Sequence, residues 1–220
     1  MKGERQQVQM QDAVSTDGAE KTAVAAEQVL PLFPGLAASH IHVITGADQA
    51  EQAAQDLLQQ TVIGFDTETR PVFQRGVQHT GPHLIQLATE TDAYLIPVKD
   101  QNDPAIVDML AQVLGHPDII KAGFGLSDDL RSVRRKLGIS VENALDLARL
   151  LRERKQSEVG AKKASAVYLG VDLPKSKRIS TSDWSQFPLS EKQIQYAVND
   201  ALSALRIYLS WKRDGRKPVR

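Results

Sequence analysis

The alternation of apolar and polar positions divides the chain near residue 125. Before that point strand-like runs of β-branched, aromatic and apolar residues concentrate. TVIGFDTET (61–69) is β-branched and aromatic and predicts a strand, with Val62, Gly64, Asp66 and Glu68 on one face and Ile63 and Phe65 on the other. HIHVIT (40–45) predicts a shorter strand, HLIQLATE (83–90) and DAYLIPV (92–98) a tight hairpin, and DIIKAGFG (118–125) a buried strand. Two helices interleave: ADQAEQAAQDLLQQ (47–60) and NDPAIVDMLAQVLG (102–115), the latter opened at Asp103-Pro104 and stopped at Gly115. After residue 125 a helical period takes over. SDDLRSVRRKLG (127–138) predicts a helix capped by Ser127 and ended by Gly138, with an apolar stripe through Leu126, Leu130, Val133 and Leu137. Further helices are predicted at about 144–153, about 160–169 and 190–212, the last opening on the capping box SEKQ. Strands first and helices later predict one α/β domain, a mixed central β-sheet flanked by α-helices.

The segments between these elements carry their own signals. Residues 1–29 are rich in Gln, Glu, Ala, Ser, Thr and Gly, show no apolar periodicity, and are expected to form a flexible tail. LPLFPG (30–35) is expected to pack on the domain as an irregular arm; the domain then runs over 30–213, with a short tail at 214–220. RPVFQRGVQHTGP (70–82) and the Pro- and Lys-rich stretch 171–189 are expected as loops. With 41% hydrophobic residues, 220 residues suffice for a sizeable core. No run approaches the roughly 18 apolar residues of a membrane span, and the N-terminus lacks the apolar centre of a secretory signal. The absence of cysteine excludes disulfides, thiolate metal sites and a thiol nucleophile. The expected setting is intracellular, cytoplasmic by default; the oligomeric state is not fixed by the sequence. Zero net charge hides an asymmetry: 6 Lys+Arg against 16 Asp+Glu in residues 1–120, and 21 against 11 in residues 121–220. Such a split suits a polyanionic partner for the second half, or basic helical surfaces that are only solvated.

Three groups of acids stand out. Asp66 and Glu68 share a strand face at the end of an apolar run, where they repel each other unless a cation lies between them. They fit a divalent ion with hard oxygen ligands, or a frayed strand end with solvated acids. Asp128 and Asp129 occupy a first helical turn, which the helix dipole alone would favour. Asp129 lies on the flank of the apolar stripe and Asp128 roughly opposite it, so Asp129 is the one placed to face a cleft. Tyr196 and Asp200, four residues apart, stack on a helix face away from the stripe Ile194, Ala197, Val198, Ala201, Leu202, Leu205, Tyr208 and Leu209, where such a pair is commonly plain surface.

The order Asp-x-Glu, Asp, Tyr-x3-Asp resembles the DEDDy branch of 3′–5′ exonucleases, which includes ribonuclease D, the Werner-type exonuclease domain and polymerase proofreading domains. FDTE (65–68) is followed by LIQLAT (84–89) and YLIPV (94–98); AGFGLSDDL (122–130) resembles the second motif, and SDWSQFPLSEKQIQYAVNDALSALRIY (182–208) the third. The similarity covers about residues 40–212. It implies a ribonuclease H-like fold that gathers Asp66, Glu68, Asp129 and Asp200 around two divalent cations, Mg²⁺ or Mn²⁺. Asp66, Glu68 and Asp200 would hold one ion; Asp66 would touch the second, with Asp129 bound to it directly or through water. Two ions stabilise the entering and leaving oxygens of phosphodiester hydrolysis. Tyr196 would orient the attacking water, since a phenol of pKa near 10 is a poor base at neutral pH.

The resemblance gives the charge asymmetry a use. Residues 149–178 hold nine Lys/Arg against three acids, and Lys175, Lys177 and Arg178 precede the third motif, a stretch expected to steer a phosphate backbone. Phe124 and Leu126 either wedge against the terminal base or belong to the core. Thr69 stands where Werner-type relatives often carry an aromatic residue, which weakens the inference about contacts to the terminal nucleotide. His79 and His83 read as loop or strand residues, and Trp184 as an anchor for the 171–189 loop. The implied activity is 3′–5′ exonucleolytic release of nucleoside monophosphates from a nucleic acid with a free 3′ end. DNA is favoured over RNA, with an exoribonuclease of RNA maturation or a non-catalytic nucleic-acid-binding module as alternatives.

Overall fold

The computed structural model describes residues 29–72, 80–152 and 158–215. The tails expected at 1–29 and 214–220 therefore lie, apart from Val29, Asp214 and Gly215, outside the described residues, as does His79.

Strand β2 (Val62–Glu68) is central because it is apolar on both faces for most of its length. It pairs antiparallel with β3 (Leu84–Ala88), which continues antiparallel to β4 (Ala93–Pro97); β1 (Ile41–Val43) lies parallel to β4 at one edge. On the other side β5 (Ile120–Gly123) and β6 (Ala144–Asp146) add in parallel, giving the order β1-β4-β3-β2-β5-β6. One sheet face buries Ile63, Phe65, Ile85, Leu87, Tyr94 and Ile96 in a cluster shared with α1 (Ala47–Leu57), α2 (Pro104–Leu114) and α3 (Ser127–Leu137). Asp103 caps α2 by accepting from the Ala105 amide, and Gly138 ends α3 at φ 71°. Among the described residues no helix is long and apolar enough to cross a membrane.

The opposite face is covered by α7 (Glu191–Arg213), whose capping box Ser190/Gln193 is formed. Gly64 faces this helix at a distance only glycine allows: a Cβ there would stand 1.9 Å from the Ala201 carbonyl oxygen. From its other side α7 is packed by α5 (Ala161–Leu169), through the cluster that holds Ala164, Ala204 and Ile207. Held on both sides, α7 buries Ala204, Ile207, Ser203 and Asp200 in addition to its apolar stripe. The face that the helical wheel assigns to solvent is thus interior.

Three local expectations are corrected. The helix expected at 144–153 begins as β6: Gly123 pairs with Asp146, and only then does a single turn follow, α4 (Leu147–Leu150). Asp146 makes the switch, its carboxylate accepting from the amides of Gly125 and Ala148. Ser127 does not cap α3; it stands in the first turn, and its hydroxyl accepts from Arg149 at 2.9 Å. The 171–189 loop contains a short helix, α6 (Lys177–Ser180), capped by Ser176. The arm docks through Phe33, 6% exposed, with backbone bonds to Asp172 and the Arg206 guanidinium on the Pro34 carbonyl at 2.6 Å.

Candidate active site

The last residues of β2 and the third turn of α7 meet over the sheet. Alternation along β2 turns Asp66 and Glu68 towards α7, and the Gly64–Ala201 approach fixes how close the helix can come. Asp200, one residue before Ala201, is carried into the same space and is 9% exposed. Oxygens of Asp66, Glu68 and Asp200 all lie within 4.8 Å of one another, and among the described residues this is the group of potential ligand side chains so gathered. Residues 134 positions apart in the chain are therefore neighbours.

Asp129 stands outside that group. Thr67, which alternation turns to the other face of β2, donates its hydroxyl to Asp129 Oδ1. Asp129 is nonetheless close enough for its charge to act on Asp66. Asp128 points to solvent beside Arg131, with 87% of its side chain exposed.

Crowded carboxylates out of water hold their protons. Burial first, then Asp200 and Asp129, raises Asp66 well above its ordinary value. Glu68 is pushed up to about 10, again by burial first and then by Asp66 and Asp200. Burial also raises Asp129 and Asp200. Lys175 works against this, its ammonium donating to Asp200 Oδ1 at 2.5 Å. The same ammonium lies 5.2 Å from the centre of the Tyr196 ring. Tyr196 sits one turn before Asp200 and is tilted against Trp184, with ring centroids 6.2 Å apart. Its hydroxyl is driven up by burial and by the charges of Asp200, Glu68 and Asp66, so it stays protonated and acts as a donor. Trp184 is fully buried and donates from its indole to the Ser180 carbonyl, an anchor for the α6 segment.

Two residues of the site are not found by sequence patterns. Lys175 reads as one loop cation among several; no spacing rule links a loop position to a helix carboxylate 25 residues on. Gln86 stands opposite Asp66 in the β2–β3 ladder, is fully buried, and neither of its amide atoms has a hydrogen-bond partner among the described residues. Its one signal is a lone amide in an apolar strand.

The remaining candidates divide. Lys177 and Arg178 are exposed on α6 beside Lys175. Phe124 is half-buried against the cluster of Leu147 and Ile207. Leu126 does not line the cleft: it is 1% exposed and packs in the core at the turn from β5 into α3. Arg149 is engaged by Ser127, Asp146 and Glu158, and Lys162 by Asp172, so part of the basic stretch is already paired; Arg154 and Lys155 lie outside the described residues. His83 is 7% exposed, with Nδ1 accepting from the Arg70 amide and Nε2 bonded to Thr80, a brace at the strand end.

The donor set is oxygen-only and short of positive charge, the chemistry that suits hard divalent cations. The model for a 3′–5′ exonuclease family matches residues 41–214. An exonuclease mut-7 homolog from Aedes aegypti is 33% identical over 190 residues, spanning 77% of this chain and 26% of that protein. The bifunctional 3′–5′ exonuclease/ATP-dependent helicase WRN of Mus musculus is 30% identical over 179 residues, 80% of this chain and 13% of that protein. The chain thus spans about a quarter or less of these relatives' length. The crystal structure of the Aedes aegypti Nibbler EXO domain is 28% identical, with a TM-score of 0.67 over 83% of this chain and 94% of that one.

Proposed function

Since the chain belongs to the 3′–5′ exonuclease family, we propose that it removes nucleoside monophosphates from the 3′ end of a nucleic-acid strand, at the site formed by Asp66, Glu68, Asp129, Tyr196 and Asp200. The observation that carries the reading is the meeting of Asp66, Glu68 and Asp200 within 4.8 Å, beside a tyrosine one turn before Asp200.

The residues fit two divalent cations, Mg²⁺ or Mn²⁺. Asp66, Glu68 and Asp200 would hold one, and Asp66 with Asp129, once released from Thr67, the other. Bound there, such ions supply charge for the entering and leaving oxygens of the displacement. The rest falls to the chain. Tyr196, kept protonated by burial and neighbouring charge, offers its hydroxyl as a donor that orients water for attack on the terminal phosphodiester. The contact with buried Trp184 fixes the ring's direction. Lys177 and Arg178 are exposed on α6, two and three residues after Lys175, and are suited to grip the phosphate backbone.

Parallel assays on 3′-labelled DNA and RNA, with Mg²⁺ or Mn²⁺, test the reading. Wild type should shorten at least one substrate from its 3′ end, and Asp66→Ala should lower the rate by about a hundredfold to a thousandfold, the range seen when one preorganised electrostatic element is lost. Intact termini with both substrates and both metals would end the proposal.

A further inference from the structure

The pairing of Lys175 with Asp200 has a consequence for how the site fills. Three carboxylates share a volume less than 5 Å across, and the Asp200 side chain is 8% exposed. Lys175 is the cation that counters Asp66, Glu68 and Asp200 alike. Its ammonium sits on Asp200 Oδ1, one of the oxygens of the converging group's helix-borne member, with the Tyr196 ring beside it.

The pairing is built to be given up. Lys175 comes from the exposed Pro174–Lys175 segment, and a third of its side chain remains in water. A four-carbon stem lets the ammonium retreat without moving the backbone, and a lysine head makes no fixed fork of hydrogen bonds. Lys175 itself lines a groove of about 590 Å³ together with Asp172, Glu191, Lys162 and Lys192, so the displaced head has room, with acids as well as cations around it.

Resting on the nuclease reading, we propose that Lys175 is the site's own exchangeable cation: a positioning residue that holds Asp200 in the metal-free protein and must be displaced before a divalent ion binds. It therefore sets the metal concentration at which the site fills. The incoming ion must replace an ion pair that is a third exposed on its lysine side, and giving up such a pair costs about a tenfold change in affinity.

The test is Mn²⁺ binding by titration calorimetry to metal-free protein, without substrate, on wild type, Lys175→Met, Lys175→Arg and Lys177→Met. Lys175→Met should bind Mn²⁺ about tenfold more tightly, and melt at lower temperature than wild type in EDTA. Lys175→Arg, which keeps the charge and adds the fixed fork, should bind Mn²⁺ no more tightly than wild type, and Lys177→Met, which removes a charge from the neighbouring helix, should stay near wild type. A merely structural loss would weaken Mn²⁺ binding, so unchanged or weaker binding by a folded Lys175→Met overturns the proposal. Equal tightening by Lys177→Met overturns it as well, since general charge would then suffice. Absence of Mn²⁺ binding to wild type would overturn both this proposal and the metal-dependent reading beneath it, whereas equal binding by wild type and Lys175→Met sinks the exchange alone.

Discussion

Gly64→Ala is the most direct probe of how the fold sets the site. The added methyl would stand 1.9 Å from the Ala201 carbonyl oxygen and 3.3 Å from Leu205 Cβ. An ordinary C···O contact is about 3.3 Å, so β2 and α7 must part by roughly 1.4 Å. The close clash is with the Ala201 backbone, and no side chain can swing aside to absorb it. Overpacking of this kind costs about 1–3 kcal/mol, and with backbone on both sides the upper end applies. Asp200 precedes Ala201 and moves with it, away from Asp66 and Glu68. Metal-ligand distances tolerate about 0.2 Å, and a misplacement of about 1 Å costs on the order of a hundredfold in rate. The variant should thus fold, lose about 3 kcal/mol in urea unfolding, and lose about a hundredfold in release of labelled 3′ nucleotides. Gly46→Ala, whose methyl meets nothing within 4 Å, is the control: as the N-cap of α1 it should lose less than about 1 kcal/mol and keep its rate. If Gly64→Ala kept its rate within a few-fold, the helix–strand seam would not be what fixes the carboxylates.

Three further outcomes follow from the same geometry. In EDTA the protein should lose stability as pH rises: Glu68, at about 10 against an ordinary 4.5, keeps a proton that the unfolded chain releases, so each pH unit inside that window costs up to about 1.4 kcal/mol per proton. Saturating Mn²⁺ should flatten the dependence, and a level melting temperature from pH 5 to 9 in EDTA would refute the shift. Reversing charge at Lys177 and Arg178 to Glu should weaken strand binding and reduce the slope of log affinity against log salt by about 0.7 for each phosphate left without its cation; an unaltered slope removes them from the substrate path. Gln86→Leu should raise stability by about 1 kcal/mol or more, because a buried amide without partners costs more than the aliphatic side chain; a destabilised variant in urea would show that the amide is satisfied.

The legible parts of the fold are those with long periodic patterns or a capping signature. The β-branched and apolar runs of β2, β3 and β4 and the Ser190/Gln193 box of α7 need only local chemistry. β6 escapes because three residues show no period, and its strand character comes from the β5 ladder. In the candidate site, the acids are readable as types in an order, but their closeness in space is not. Asp200 resembles a surface residue on the helical wheel because α7 is packed on two sides, a fact of tertiary assembly. Leu126 misleads for the converse reason: standing beside a motif in sequence, it turns into the core where β5 hands over to α3. Lys175 belongs to the same class, since loop geometry alone brings it to Asp200.

The position of α7 in the chain order also bears on synthesis. Asp66 and Glu68 leave the ribosome more than a hundred residues before Asp200, and until α7 has emerged and settled on the sheet their third carboxylate is absent. A nascent chain therefore carries two isolated acids on an uncovered strand, and in this architecture any chemistry on polynucleotides has to wait until that late helix has been made.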